Sequence, residues 1–93
     1  MTDRPGRIEA ALRGQLAAEH VEVVDESHLH AGHAGARSGG GHFRVLVVSP
    51  RFADLRPLDA QRLVYGALGD MMESEIHALS IRTLTPEAWR REG

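Results

Sequence analysis

The sequence predicts a single small α/β domain, an α+β sandwich in the order α-β-β-α-β-α, whose three-stranded sheet carries its helices on one face. Three observations predict it. A length of 93 residues allows one modest core and no second domain. Two short β-branched runs, 21–26 and 42–49, stand on either side of a glycine-rich loop and read as a hairpin. Apolar residues recur at helical spacing both before that hairpin and after it, and the second helix leads back to an apolar run at 76–81, a third strand.

Between Asp3 and Ala18, Ile8, Leu12 and Leu16 recur every four residues with charged residues between them, and Pro5 suits a first helical turn. Val21-Glu22-Val23-Val24-Asp25-Glu26 is the first strand. The loop 27–41 has five glycines and three histidines, His28, His30 and His33, and follows neither helical nor strand period. Loops of this length in small domains are functional or disordered. His42-Phe43-Arg44-Val45-Leu46-Val47-Val48-Ser49 has five apolar residues in eight, which suits a strand well inside the sheet. Pro50 and Pro57 bracket a turn region. From Leu58 onward Leu58, Ala60, Val64, Ala67, Leu68, Met71 and Met72 follow helical spacing and predict the longest core helix. Thr85 as N-cap and Pro86 at the first helical position start a final helix through Trp89. Met71, Met72 and Trp89 read as core or core-edge residues.

Composition excludes several functions. With 42% hydrophobic and 26% charged residues the chain is an ordinary globular domain, and no apolar run is long enough to span a bilayer. The N-terminus has no apolar segment after a basic one, so the expected address is the cytoplasm. There is no cysteine, so zinc or iron-sulfur chemistry must use histidines or ligands borrowed from a partner. A net charge of -2 argues against general electrostatic binding of nucleic acid. All eleven basic residues are arginine, and Arg44, Arg51, Arg56 and Arg62 locally outnumber Asp54 and Asp59, which leaves an anionic partner open. Enzyme signatures are missing: no cysteine nucleophile, no paired carboxylates and no phosphate loop. Asp25 and Glu26 read as solvated strand-end acids. Aromatic residues for base stacking are few, namely Phe43, Phe52, Tyr65 and Trp89, with Phe43 assigned to the core.

The functional question centres on His77 in Ile76-His77-Ala78-Leu79-Ser80-Ile81. Strand alternation puts His77, Leu79 and Ile81 on one side and Ile76, Ala78 and Ser80 on the other. An imidazole beside two apolar residues is either a hydrogen-bonded core histidine or a ligand on a rigid element. His28 and His30 lie on one side of an extended chain and His33 is close enough to join them, which makes a zinc or nickel site with His77 conceivable. His42, at a strand start, reads as structural and His20 as exposed.

Several stretches in order resemble the BolA family: Val23-Val24-Asp25-Glu26-Ser27-His28, His30-Ala31-Gly32-His33, His42-Phe43-Arg44-Val45 with Val47-Val48-Ser49, Arg51-Phe52, Arg62-Leu63-Val64-Tyr65, Ile76 to Ile81, and Thr85-Pro86-Glu87-Ala88-Trp89. The resemblance covers nearly the whole chain and implies a fold similar to a type II KH domain. Gly32-His33-Ala34-Gly35 matches the KH G-x-x-G, yet it follows a strand instead of joining two helices.

The resemblance implies an adaptor that joins a monothiol glutaredoxin carrying Cys-Gly-Phe-Ser and shares a [2Fe-2S] cluster with it, in iron-sulfur trafficking or iron and redox regulation. His77 matches the family's cluster ligand, and His30 best matches the second ligand from the loop, with His33 and His28 as alternates. The glutaredoxin cysteine and glutathione would hold the other iron. Zinc is the alternative metal. Without a cluster the chain is expected as a monomer or weak homodimer. Imidazoles in place of thiolates raise a cluster's reduction potential and make its ligation sensitive to acid. Some relatives are implicated in transcription and stress response through a helix-turn-helix-like region, here 50–72, with Arg51, Arg56 and Arg62 as its candidate DNA contacts. This chain departs from the family there. Ala60-Gln61-Arg62 replaces the usual Arg-His-Arg, and Ala53-Asp54 replaces a glycine after Phe52; Gly41 stands where a serine is usual.

Overall fold

The computed structural model describes residues 3–26 and 41–92. Helix α1 (Arg4–Leu16) leads into strand β1 (His20–Asp25), and β2 (Gly41–Val48) pairs antiparallel with it as the expected hairpin. A single 3₁₀ turn at Pro50–Phe52 and helix α2 (Pro57–Leu68) follow, then a one-turn helix α3 (Met71–Ser74). The crossover delivers β3 (Ile76–Leu84) parallel to β2, so the sheet is mixed with order β1-β2-β3. Helix α4 (Pro86–Glu92) closes the chain.

The core forms where apolar faces chosen by two periodicities meet. Ile8, Leu12 and Leu16 of α1 and Ala60, Val64 and Leu68 of α2 are buried against Val21, Phe43, Val45 and Val47 of the sheet. Asp3 caps α1 by accepting the Gly6 N–H at 2.8 Å. At its other end Ala17 takes a left-handed conformation, φ 51° and ψ 39°. Ser49 ties this end to the sheet. Fully buried, its hydroxyl donates to the Leu16 carbonyl at 2.6 Å and accepts the Arg51 N–H at 3.0 Å.

Four expectations change in detail. The long second helix ends at Leu68, because Gly69 turns at φ 52° and ψ -125°, a conformation suited to glycine; Met71 and Met72 then pack on the core from α3. Leu58 faces solvent at the start of α2. The helices do not share one face. Val21 and Val47 point toward α1 and α2, so alternation aims His20, Val48, Arg82 and Leu84 the opposite way. On that side His20 stacks on Trp89 with ring centroids 4.4 Å apart, and Arg82 meets the Glu92 carboxylate at 2.7 and 2.8 Å. Helix α4 therefore packs against the second face, capped by Thr85, whose hydroxyl accepts the Ala88 N–H at 3.2 Å. His20 is half-buried and also bonds Glu22 at 2.7 Å, so it is more than the exposed residue expected from sequence.

Candidate metal centre

The end of the sheet where β1 finishes and β2 begins also holds the start of β3. Two backbone bonds fix it: Glu26 N–H donates to the His42 carbonyl at 2.8 Å, and Gly41 N–H donates to the Glu75 carbonyl at 3.0 Å. The Glu75 carboxylate forms an ion pair with Arg7 and lies 3.9 Å from Arg4, which ties this corner to α1.

The β2–β3 register slips here. Gly41 is paired with Ile76, yet the next residue, His42, is paired with Ala78. One extra residue on β3 is therefore taken up in a bulge, and that residue is His77. Ile76 is buried at 4% exposure on the side of Phe43, and Leu79 and Ile81 pack on the same core beyond the bulge. Simple alternation, which set His77 with Leu79 and Ile81 and put Ile76 opposite, fails across the bulge. His77 is exposed, and its ring approaches that of His42, with centroids 5.1 Å apart and planes tilted by 46°.

The sequence had assigned His42 to structure. The structure brings it beside His77, and one signal could have pointed there: Gly41, a glycine opening an otherwise apolar strand, which commonly marks a bulge or close backbone approach. His30, His33 and His28 lie outside the described residues. Among the described residues no set of three or more histidine, cysteine or acidic side chains is gathered for a metal ion. The structure thus brings together two imidazoles, His42 and His77. That suits a metal completed by other ligands, such as one iron of a cluster shared between chains, and does not by itself make a closed four-ligand zinc site.

The arginines proposed for an anionic partner sit elsewhere. Arg51 is exposed and donates to the Gln15 carbonyl at 2.9 Å. Arg56 and Arg62 both approach Asp59, at 3.5 and 3.6 Å, so one acid partly offsets two cations. Arg51 and Arg62 border a cavity of ≈ 200 Å³ shared with Gln15, Leu63 and Gly66. A larger cavity of ≈ 260 Å³ between the 3₁₀ turn, β3 and α4 is lined by Phe52, Leu55, Ala60, Thr83, Leu84 and Ala88 among others, with no titratable side chain. No described helix is long and apolar enough to cross a membrane.

A family model described as BolA-like protein matches residues 12–88. The chain is 43% identical over 89 residues to BolA-like protein 1 of Mus musculus, covering 91% of this chain and 63% of that protein. It is 42% identical over 84 residues to a DNA-binding transcriptional regulator BolA of Vibrio cholerae, covering 90% of this chain and 76% of the relative. The BolA domain of SufE1 from Arabidopsis thaliana superposes with a TM-score of 0.79 at 37% identity, over 94% of this chain and 96% of that one. The chain thus spans less than two thirds of the mouse relative's length.

Proposed function

This chain belongs to the BolA-like protein family, and on that premise we propose that it is a non-enzymatic adaptor that joins a monothiol glutaredoxin and co-ligates a shared [2Fe-2S] cluster through histidine. The observation that carries the reading is His77, exposed on a bulge and beside a second imidazole, in a chain without cysteine. An exposed imidazole on a sheet end, with a half-buried one beside it, is open to a partner's ligands. The bulge fixes where His77 starts, and the α1 ion pair to Glu75 holds that start against the domain.

When bound, the cluster would supply an electron-accepting and releasable iron-sulfur centre. The chain's own residues would set its character. Neutral imidazoles carry no charge to the iron, which raises the reduction potential relative to thiolate ligation. They also lose their lone pair on protonation, so acid would release the complex. Such a centre suits trafficking or iron and redox regulation.

The test is reconstitution. Mixing this protein with a Cys-Gly-Phe-Ser glutaredoxin, iron, sulfide and glutathione should give a coloured heterocomplex whose visible spectrum changes on His77→Ala. An unchanged spectrum in that variant removes His77 from the site.

A second reading has its own support, since relatives such as that of Vibrio cholerae are named as DNA-binding transcriptional regulators. In this chain it would use the region 50–72 with Arg51, Arg56 and Arg62. A salt-dependent mobility shift with duplex DNA that weakens on Arg62→Ala would support it. No shift at low salt would dismiss it.

A further inference from the structure

We propose that the free edge of β3 is the surface through which this chain pairs with a second copy of itself, strand against antiparallel strand, so that two three-stranded sheets become one of six. The pairing runs along 78–82, past the bulge, and does not draw on the histidine pair.

The edge is open and its apolar layer is unfinished. β3, with nine residues, stands at the end of the sheet order, and among the described residues only β2 lies beside it. A strand presents its N–H and C=O groups to both sides, so part of the β3 backbone faces away from β2. Phe43 and Val45 of β2 are 2% and 1% exposed, whereas their partners on β3, Leu79 and Ile81, pack on the same core and are only half-buried. A neighbouring strand would complete their cover.

Charge and pattern select the occupant. The opposite edge, β1, is guarded: Glu19, Glu22, Asp25 and Glu26 crowd the stretch 19–26, and self-pairing there would set acid near acid. β3 carries one permanent charge, Arg82, which already meets the Glu92 carboxylate, and it has no lysine or proline to blunt it. Its sequence is also self-complementary. In an antiparallel pair centred on Ser80, Leu79 of each copy faces Ile81 of the other on the side of α1 and α2, and Ser80 faces its own copy on the opposite side. Arg82 falls opposite Ala78, so no like charges meet. A slip of one residue would set core-facing side chains against outward ones, which fixes the register. Pairing over 78–82 is a small contact, so the dimer forms as concentration rises.

The test uses the whole chain in a metal chelator, so that no ion bridges two copies. Sedimentation velocity from micromolar to millimolar concentration should show monomer passing into dimer. Ser80 is exposed and the chain has no cysteine, so Ser80→Cys puts a single thiol at the axis. Directly opposed Cα atoms of an antiparallel pair, about 4.5–5.5 Å apart, are within disulfide reach. The two copies of residue 78 would instead stand about 14 Å apart along the strands. Mild oxidation should therefore link Ser80→Cys about tenfold or more faster than Ala78→Cys. A mixture of Ala78→Cys and Arg82→Cys should link to each other in preference to themselves. Ser80→Lys sets like charges opposite one another and should weaken the dimer roughly tenfold or more, with the far-ultraviolet signal unchanged. A chain that stays monomeric to millimolar concentration overturns the pairing and leaves the edge to an extended segment of another protein. Ser80→Cys linking no faster than Ala78→Cys, or a dimer indifferent to Ser80→Lys, overturns it as well. So does dimerisation that begins only when metal is added, since that would belong to the histidines.

Discussion

Exchanging His77 and its neighbour Ile76 for alanine separates a bulged strand from a regular one, because the two arrangements predict opposite costs. In the bulged strand His77 is exposed and Ile76 is buried at 4%. His77→Ala then loses only solvent-side contacts and the ring beside it, and should change stability by less than about 1 kcal/mol. Ile76→Ala deletes three carbons from the core. At about 0.8 kcal/mol for each buried methylene, with a further cost for the residual cavity, the loss is about 2–4 kcal/mol. For a domain of this size 1 kcal/mol moves Tm by about 4–8 °C, so Ile76→Ala should lower it by roughly 10–25 °C and His77→Ala by a few degrees at most. Urea titration of both variants, read as midpoint and slope, gives the two free energies. In an unbroken alternation His77 would point inward with Leu79 and Ile81, and the order of the costs would reverse. Such a reversal would falsify the bulge and the histidine pairing built on it.

Three other substitutions follow from single contacts. Ser49→Ala strips the fully buried Leu16 carbonyl contact and the Arg51 N–H acceptor, and should cost about 1–3 kcal/mol in the same titration, with a larger protection loss at the end of α1 in hydrogen exchange. Ala17→Gly removes a side chain from a left-handed cap at φ 51° and should stabilise by about 0.5–1 kcal/mol; a destabilised variant would contradict the cap geometry. Asp59→Ala frees Arg56 and Arg62 from their shared acid, so if the region 50–72 meets DNA, affinity at low salt should rise, measured by fluorescence anisotropy. Unchanged affinity would argue that neither arginine faces the duplex.

Most of the fold was legible because it rests on local periodicity. Ile8, Leu12 and Leu16 were read from four-residue spacing and are buried; the Thr85-Pro86 pair was read as a helix start and caps α4. The hairpin and the crossover to β3 followed from element order. The placement of α4 was less visible, yet the run Val45-Leu46-Val47-Val48 carried a hint. Four consecutive apolar residues supply apolar side chains to both faces of a strand, and burial of both Val47 and Val48 means that the sheet is covered on both sides at that end. Partners such as His20 and Trp89 remain hidden because 69 positions separate them in sequence and only packing brings them together.

The site was half legible for a more specific reason. Sequence can identify His77 as an imidazole in an apolar run, but the face it occupies depends on register, and register is decided between strands. A slip of one residue between Gly41 and His42 converts an inward histidine into an exposed one while leaving Ile76, Leu79 and Ile81 on the core. That same slip brings His42, which the sequence had assigned to structure, to His77. The bulge thus separates two demands that regular alternation would set against each other. Core packing keeps its isoleucines and leucine, and the imidazole is released from the apolar face to stand exposed beside His42. A β3 one residue shorter between Ile76 and Ala78 would preserve the core and lose the pair, so deletion of His77 should leave a folded domain and, on the shared-cluster proposal, abolish the coloured complex with a glutaredoxin.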